Sequence, residues 1–120
     1  MADRDLSYQG DCLFCRIAAG EIPSDRVFED EQVIVFRDIN PRAPTHVLAI
    51  PRRHVASAAD LTDADGDLLA ALFGALRSVA REVGVDDYRI VSNVGAEAGQ
   101  SVFHLHFHLL GGRPMTWPPG

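Results

Sequence analysis

Two periodicities run through the chain. From Leu68 to Val83 apolar residues recur at helical spacing, as Leu68, Leu69, Leu72, Phe73, Leu76, Val79, Ala80 and Val83, and Gly84 follows as a stop. Thr62, with Asp65 three positions on, reads as the cap that precedes this helix. Elsewhere the pattern shortens to strand character in Val27 to Glu29, Val33 to Phe36, His46 to Pro51, Tyr88 to Val94 and Val102 to Leu110. A short helix is expected over Cys12 to Ala19, capped by Asp11 and stopped by Gly20, with Pro23 beyond. Asp38 to Pro44 carries Pro41 and Pro44 and must be an extended loop, and the stretch from Gly95 to Gln100 is a glycine-containing turn. Strands outnumber helices, and their connections are too short for most parallel crossovers. The expected class is therefore α+β with a mainly antiparallel sheet.

At 120 residues the chain is expected to form one domain over residues 1–120, with 1–10 a loose leading segment and 113–120 an irregular tail. Hydrophobic residues make up 47% and charged residues 23%, the balance of a globular protein and not of a disordered one. No apolar run approaches the ~20 residues of a membrane span, and the first residues lack the basic and apolar regions of a secretion signal. The expected location is cytoplasmic, with no membrane partner. A net charge of −6 argues against a nucleic-acid partner, so any phosphate ligand needs a locally built site. The two cysteines, Cys12 and Cys15, suggest metal binding, redox chemistry or simple burial.

The chemistry concentrates in Phe103 to Leu110, where His104, His106 and His108 alternate with apolar residues. On a regular strand the histidines would share one face, with Phe103, Leu105, Phe107 and Leu109 on the other. The outer two backbones would then lie ~13 Å apart at ~3.4 Å per residue. One tetrahedral zinc with bonds of ~2.0–2.1 Å cannot take all three without strain, although one histidine or an adjacent pair remains open to metal. The alternative is a wall of imidazoles acting as nucleophile, base and donor around one phosphorus. Gly99-Gln100-Ser101 just before them is either a plain turn or a set of donors for phosphate oxygens. Asp38 is either a turn residue or an acceptor for ribose hydroxyls.

His104-Leu105-His106-Phe107-His108-Leu109-Leu110 resembles the signature of the histidine-triad family. Cys12 to Ile17, Glu21-Ile22-Pro23, Phe36 to Ile39, Ala43 to His46, Ile50 to His54, Gly99 to Ser101 and the ending Gly111-Gly112-Arg113 with Trp117 to Gly120 resemble its Hint branch of nucleotide-binding proteins. The resemblance implies a five-stranded antiparallel sheet with one long and one short helix, and a homodimer with a continuous ten-stranded sheet. It implies hydrolysis of purine nucleoside 5′-phosphoramidates and aminoacyl-adenylates, with AMP released and no organic cofactor. His106 would be the nucleophile, forming a covalent nucleotidyl-histidine. Ser101 would assist the departing amine, His108, Gly99 and Gln100 would stabilise charge on phosphoryl oxygens, and His46 would shape the surroundings of His106. Asp38 would hold the ribose, Ile39 would flank the base, Asn93 would sit near the phosphate, and Trp117 would reach the partner's active site. Thr116 stands where many relatives have histidine, a departure that bears on the leaving group.

By the same resemblance Cys12, Cys15, His54 and His104 would form a Cys₂His₂ set for a structural zinc ion. The spacing of the cysteines supports this, since residues three apart on a helix share a face; simple burial of both thiols is the competing expectation. Three other functions stand beside the phosphoramidase: a nucleotide-binding scaffold with incidental catalysis, a dinucleoside polyphosphate hydrolase, and an enzyme with catalytic zinc.

Overall fold

The computed structural model describes residues 8–120, so the expectation of a loose leading segment falls, for residues 1–7, outside the described residues. Five strands, β1 (Arg26–Glu29), β2 (Val33–Arg37), β3 (Thr45–Pro51), β4 (Tyr88–Val91) and β5 (Phe107–Gly111), join in the order β1-β2-β3-β5-β4. Every neighbouring pair is antiparallel. Two α-helices complete the fold, the short α1 (Leu13–Ala18) and the long α2 (Gly66–Val83). The expected class, strand number and helix complement are all present.

Local chemistry sets the ends of these elements. Asp30 Oδ1 accepts from the amides of Gln32 and Val33 and so closes the β1–β2 hairpin. Thr62 and Asp65 form the expected capping box, but it opens a 3₁₀ turn, and α2 starts only at Gly66. Gly84 ends α2 in the left-handed region at φ 79°, its N–H shared by the carbonyls of Ala80 and Arg81. At α1 the expected cap is corrected: Cys12 and not Asp11 holds the N-cap position, its sulfur accepting from the Cys15 amide at 3.3 Å.

The sheet is covered on both faces at its centre. Val33 and Val35 of β2, Val47 and Ala49 of β3, and Phe107 and Leu109 of β5 pack with Leu68, Leu72, Ala75, Leu76, Val79 and Ala80 of α2. The alternate residues Ile34, Phe36, Leu48 and Ile50 pack with Phe14, Ile17 and Ala18 of α1. Two-sided burial explains why β2 and β3 read as nearly continuous apolar runs in an antiparallel sheet. Because α1 is short, its face of the sheet is only partly covered, and the reactive side chains gather there. No helix among the described residues is long and apolar enough to cross a membrane.

The strand expected over Val102 to Leu110 is shorter than its alternation suggests, beginning at Phe107. Ahead of it Leu105 donates its amide to the Val55 carbonyl at 2.6 Å, and Phe103 stands 52% exposed instead of joining the core. Pairing with the segment after β3 replaces pairing within the sheet here, yet the faces still alternate from His104 on, with Leu105 in the α2 cluster beside Phe107 and Leu109, and His104 and His106 against Phe14 of α1. Likewise β4 stops at Val91 and not Val94: its ladder with β5 ends at the Val91–His108 pair, and beyond it the Ser92 hydroxyl donates to the His106 carbonyl at 2.8 Å.

Gly111 at the end of β5 faces the close-packed α2 side. A Cβ there would lie 2.5 Å from Val85 Cγ1 and 3.2 Å from the Asp87 carbonyl oxygen. Gly111→Ala is therefore expected to lower the unfolding free energy by about 1–3 kcal/mol, the usual cost of overpacking. Denaturant midpoints at unchanged slope measure it, and a variant as stable as the parent would contradict the close approach.

Candidate active site and metal site

The three alternating histidines divide between two sites. His104, fully buried, turns toward α1, while His106 and His108 keep their ring centroids 5.1 Å apart beside the cavity. Phe14 of α1 stands between the sites, meeting His104 and His106 edge-on at 5.9 and 5.1 Å.

Hydrogen bonds to backbone groups fix which ring nitrogen carries the proton. His106 Nδ1 lies 2.7 Å from the His104 carbonyl oxygen, which can only accept. Neutral His106 therefore donates from Nδ1 and keeps the lone pair on Nε2. At His46 the relation is reversed: the Arg42 amide donates to Nδ1 at 3.0 Å, so the proton sits on Nε2. That Nε2 lies 2.9 Å from His108 Nδ1 and 3.4 Å from Asp38 Oδ2. The shorter contact gives His108 an accepting Nδ1 and an Nε2–H. A nucleophilic lone pair and a neutral donor thus arise on neighbouring residues two positions apart.

Burial keeps the donors neutral. It pushes His108 down to about 4, with His106 and His46 adding to the effect, and it lowers His46 against the opposing pull of Asp38. Since an unfolded histidine titrates near 6.5, the unfolded chain binds more protons than the folded one between pH ~6.5 and ~4. Stability is then full above pH ~6.5 and falls on acidification through that window. His108→Asn removes this contribution, so the wild type is expected to lose more unfolding free energy than the variant between pH 7 and 4.5. Equal slopes in parallel denaturant series would contradict a buried neutral His108.

A cavity of about 400 Å³ opens in front of these rings. Ser101, His106 and His108 lie at its polar end, Phe14, Ile17, Phe36 and Leu48 form an apolar floor, and Asp38 and Ile39 stand on its rim. Ile39 is wholly exposed, an apolar side chain free to close over a planar ligand. Asp38 Oδ1 accepts from the Asn40 amide at 2.9 Å, which holds its second oxygen beside His46. A larger cleft of about 800 Å³ lies between 84–89 and 112–115 but contains neither histidine nor cysteine.

Other expected contacts lie behind or outside this wall. Gln100 is buried with its side chain fully engaged: Oε1 accepts from the Gly95 amide, and Nε2 donates to the carbonyls of Ala56 and Val102. It shapes the turn that carries Ser101. Gly99 adopts φ 102°, with the Asn93 amide 3.6 Å from where a Cβ would stand. Trp117 is 81% exposed and lies 5.9 Å from the Arg89 guanidinium, away from the cavity of its own chain. Phe14, the Arg42 amide and the Ser92 hydroxyl were not singled out in the sequence. Only Phe14 left a signal there, as an apolar residue between two cysteines.

Behind the cavity Cys12, Cys15, His54 and His104 converge, with all four donor atoms within 4.8 Å of one another. Cys12 Sγ and His104 Nδ1 are 3.3 Å apart, Cys15 Sγ and His54 Nδ1 3.3 Å, and Cys15 Sγ and His104 Nδ1 3.6 Å. A tetrahedron with Zn–S of ~2.3 Å and Zn–N of ~2.0–2.1 Å has edges of roughly 3.3–3.8 Å, so the set fits zinc. His104 donates Nε2–H to the Pro51 carbonyl at 2.8 Å, which leaves its Nδ1 lone pair for the sulfurs and a metal. Burial raises the Cys15 thiol to about 11, and a dication is what would let it ionise there. Asp38, His46 and His108 form a second group of potential ligands, but 2.9 Å between two ring nitrogens is a hydrogen-bond distance, shorter than the ~3.3 Å nitrogen–nitrogen edge of tetrahedral zinc.

Residues 11–117 match the family model for the scavenger mRNA decapping enzyme C-terminal binding region. An uncharacterised HIT-like protein of Synechocystis is 47% identical over 92% of this chain and 97% of its own. A 14 kDa zinc-binding protein of Zea mays is 47% identical over 90% of this chain and 87% of its own. Among solved structures, a HIT family hydrolase from Legionella pneumophila is 52% identical, covers 92% of this chain and all of its own, and superposes with a TM-score of 0.89.

Proposed function

Since the chain belongs to the histidine-triad (HIT) family of hydrolase-like proteins, we propose that it is a Hint-branch phosphoramidase that cleaves purine nucleoside 5′-phosphoramidates and aminoacyl-adenylates, releasing AMP. The observation that carries the reading is the His106 ring, held by Nδ1 on the His104 carbonyl at 2.7 Å, which leaves Nε2 as the ring nitrogen available beside the cavity.

In this reading the base rests on Phe14, Ile17, Phe36 and Leu48 under Ile39, and Asp38 accepts from the ribose hydroxyls. The Nε2 lone pair of His106 attacks the α-phosphorus while the P–N bond breaks, and the amine leaves with its electron pair and takes up a proton that Ser101 relays from solvent. Positive charge develops on the His106 ring as the new bond forms, and the His104 carbonyl stabilises it. His108 Nε2–H donates to a non-bridging oxygen, a contact that strengthens as charge builds there. Water then attacks the nucleotidyl-histidine and gives up a proton to solvent through Ser101, the P–N bond to His106 breaks, AMP departs, and His106 recovers its lone pair. Gly99 and Gln100 contribute through the shape of the turn, and Asn93 lies beside it. The protein acts as a homodimer with a ten-stranded sheet, each Trp117 tail extending to the partner's site. Cys12, Cys15, His54 and His104 hold a structural zinc, in keeping with the name of the maize relative. The working compartment is the cytoplasm, where the thiols stay reduced.

Rapid mixing with adenosine 5′-phosphoramidate, acid quenching and intact mass measurement test the reading. An adenylyl adduct mapping to His106, formed and consumed on the timescale of turnover, is the expected result. Turnover with no adduct, or an adduct on another residue, would remove the proposed route.

A further inference from the structure

His46 owes its tautomer first to the Arg42 amide, 3.0 Å from Nδ1 in the two-proline loop between β2 and β3, with Asp38 Oδ2 beside Nε2 at 3.4 Å. No regular structure fixes this loop, so something else must hold the amide in place. The ending of β5 supplies it. Arg113 donates Nε–H to the Arg42 carbonyl at 2.9 Å and Nη1–H to the Pro114 carbonyl at 3.0 Å. Among the described residues this guanidinium makes no ion pair, and its directional donors serve backbone carbonyls. The two backbones also approach closely: a Cβ on Gly112, at φ 91°, would lie 3.0 Å from Pro44 Cβ. Arg42 is thus gripped on both sides, its N–H by His46 and its C=O by Arg113.

We infer that Arg113 is a positioning residue for the reaction: it holds the Arg42 amide on His46 Nδ1, and through His46 it keeps the Nε2–H tautomer of His108 facing the cavity. The chain of contacts is Arg113 Nε to Arg42 O, Arg42 N to His46 Nδ1, and His46 Nε2 to His108 Nδ1. Without the grip the loop can withdraw the amide, His46 can take its proton on Nδ1, and its bare Nε2 then faces His108 Nδ1. To recover a hydrogen bond His108 must put its own proton on Nδ1, which turns a lone pair instead of a donor toward the phosphoryl oxygen. The expected kinetic result follows from where that donor acts. It is needed most in the transition state, so kcat falls while KM changes little.

Ring ¹⁵N shifts of uniformly labelled full-length protein read the tautomers without substrate. This part stands or falls independently of the phosphoramidase reading, whereas the kinetic part rests on it. In the wild type, His46 and His108 are both expected as Nε2–H tautomers, and an Nδ1–H form at either would overturn the inference even if no variant folds. In Arg113→Ala the two rings are expected to show mixed tautomers, with kcat lower by about tenfold or more and KM within about twofold. Arg113→Lys, which keeps a donor, is expected to restore part of both. Wild-type tautomers and wild-type kcat in a folded Arg113→Ala protein would overturn it. So would a loss of kcat with no change at either ring.

Discussion

Replacing His106 by alanine is expected to reduce AMP release from adenosine 5′-phosphoramidate by a factor on the order of 10⁴ to 10⁶, the scale seen when a covalent nucleophile is removed. Nothing else lining the cavity offers an equivalent lone pair: His108 presents an N–H, and Ser101 has no base bonded to it among the described residues. Alanine also strands the His104 carbonyl, a loss of about 1–3 kcal/mol if it stays buried and unpaired. His106→Asn separates the two effects, because its amide can still donate toward that carbonyl but cannot attack phosphorus. Both variants are expected to be inactive at a circular dichroism signal matching the wild type. Steady-state release of AMP measures the loss, and appreciable turnover in a folded variant of either kind would exclude His106 as nucleophile.

The second large effect belongs to the metal site. Purified protein is expected to hold one zinc per chain, and Cys12→Ala/Cys15→Ala to hold none, by elemental analysis. With free zinc at a thousand times its dissociation constant, metal binding adds about 4 kcal/mol to the folded state. Removing the thiolates or chelating the metal is expected to cost stability on that scale. Turnover at moderate temperature should suffer far less, since zinc would hold the His104 ring while the His104 carbonyl serves His106. Unchanged stability after complete chelation would contradict a structural metal. Activity lost in step with zinc from protein that stays folded would instead favour a catalytic one.

The two sites were unequally visible in the sequence. Cys12 and Cys15 at helical spacing were legible as a pair, and the triad as a row. The three histidines keep to the α1 side as the alternation suggested, and His104 lies with the cysteines as the resemblance implied. What local pattern did not show is that pairing within the sheet begins only at Phe107, while the Leu105 amide bonds to Val55, fifty residues away in the chain. The role of Gln100 was similarly hidden. Its type suggested a ligand donor, but the surrounding backbone occupies both ends of its amide.

By itself the sequence determined the elements and the inventory of chemistry. The period of α2, the Thr62 capping box, the Gly84 stop, the hairpin at Asp30 and the antiparallel class follow from short-range sterics and hydrogen bonding that neighbouring residues settle among themselves. Only the tertiary structure decided the tautomer and surroundings of each histidine. Five imidazoles with the same intrinsic chemistry were parted into two beside the cavity, one bonded to His108 and two among the cysteines. The distinction lies in which partner meets which ring nitrogen: the carbonyls of His104 and Pro51, the amide of Arg42, and the sulfurs of Cys12 and Cys15. Most of those partners lie far away in the chain, and only the folded backbone brings them within hydrogen-bonding distance.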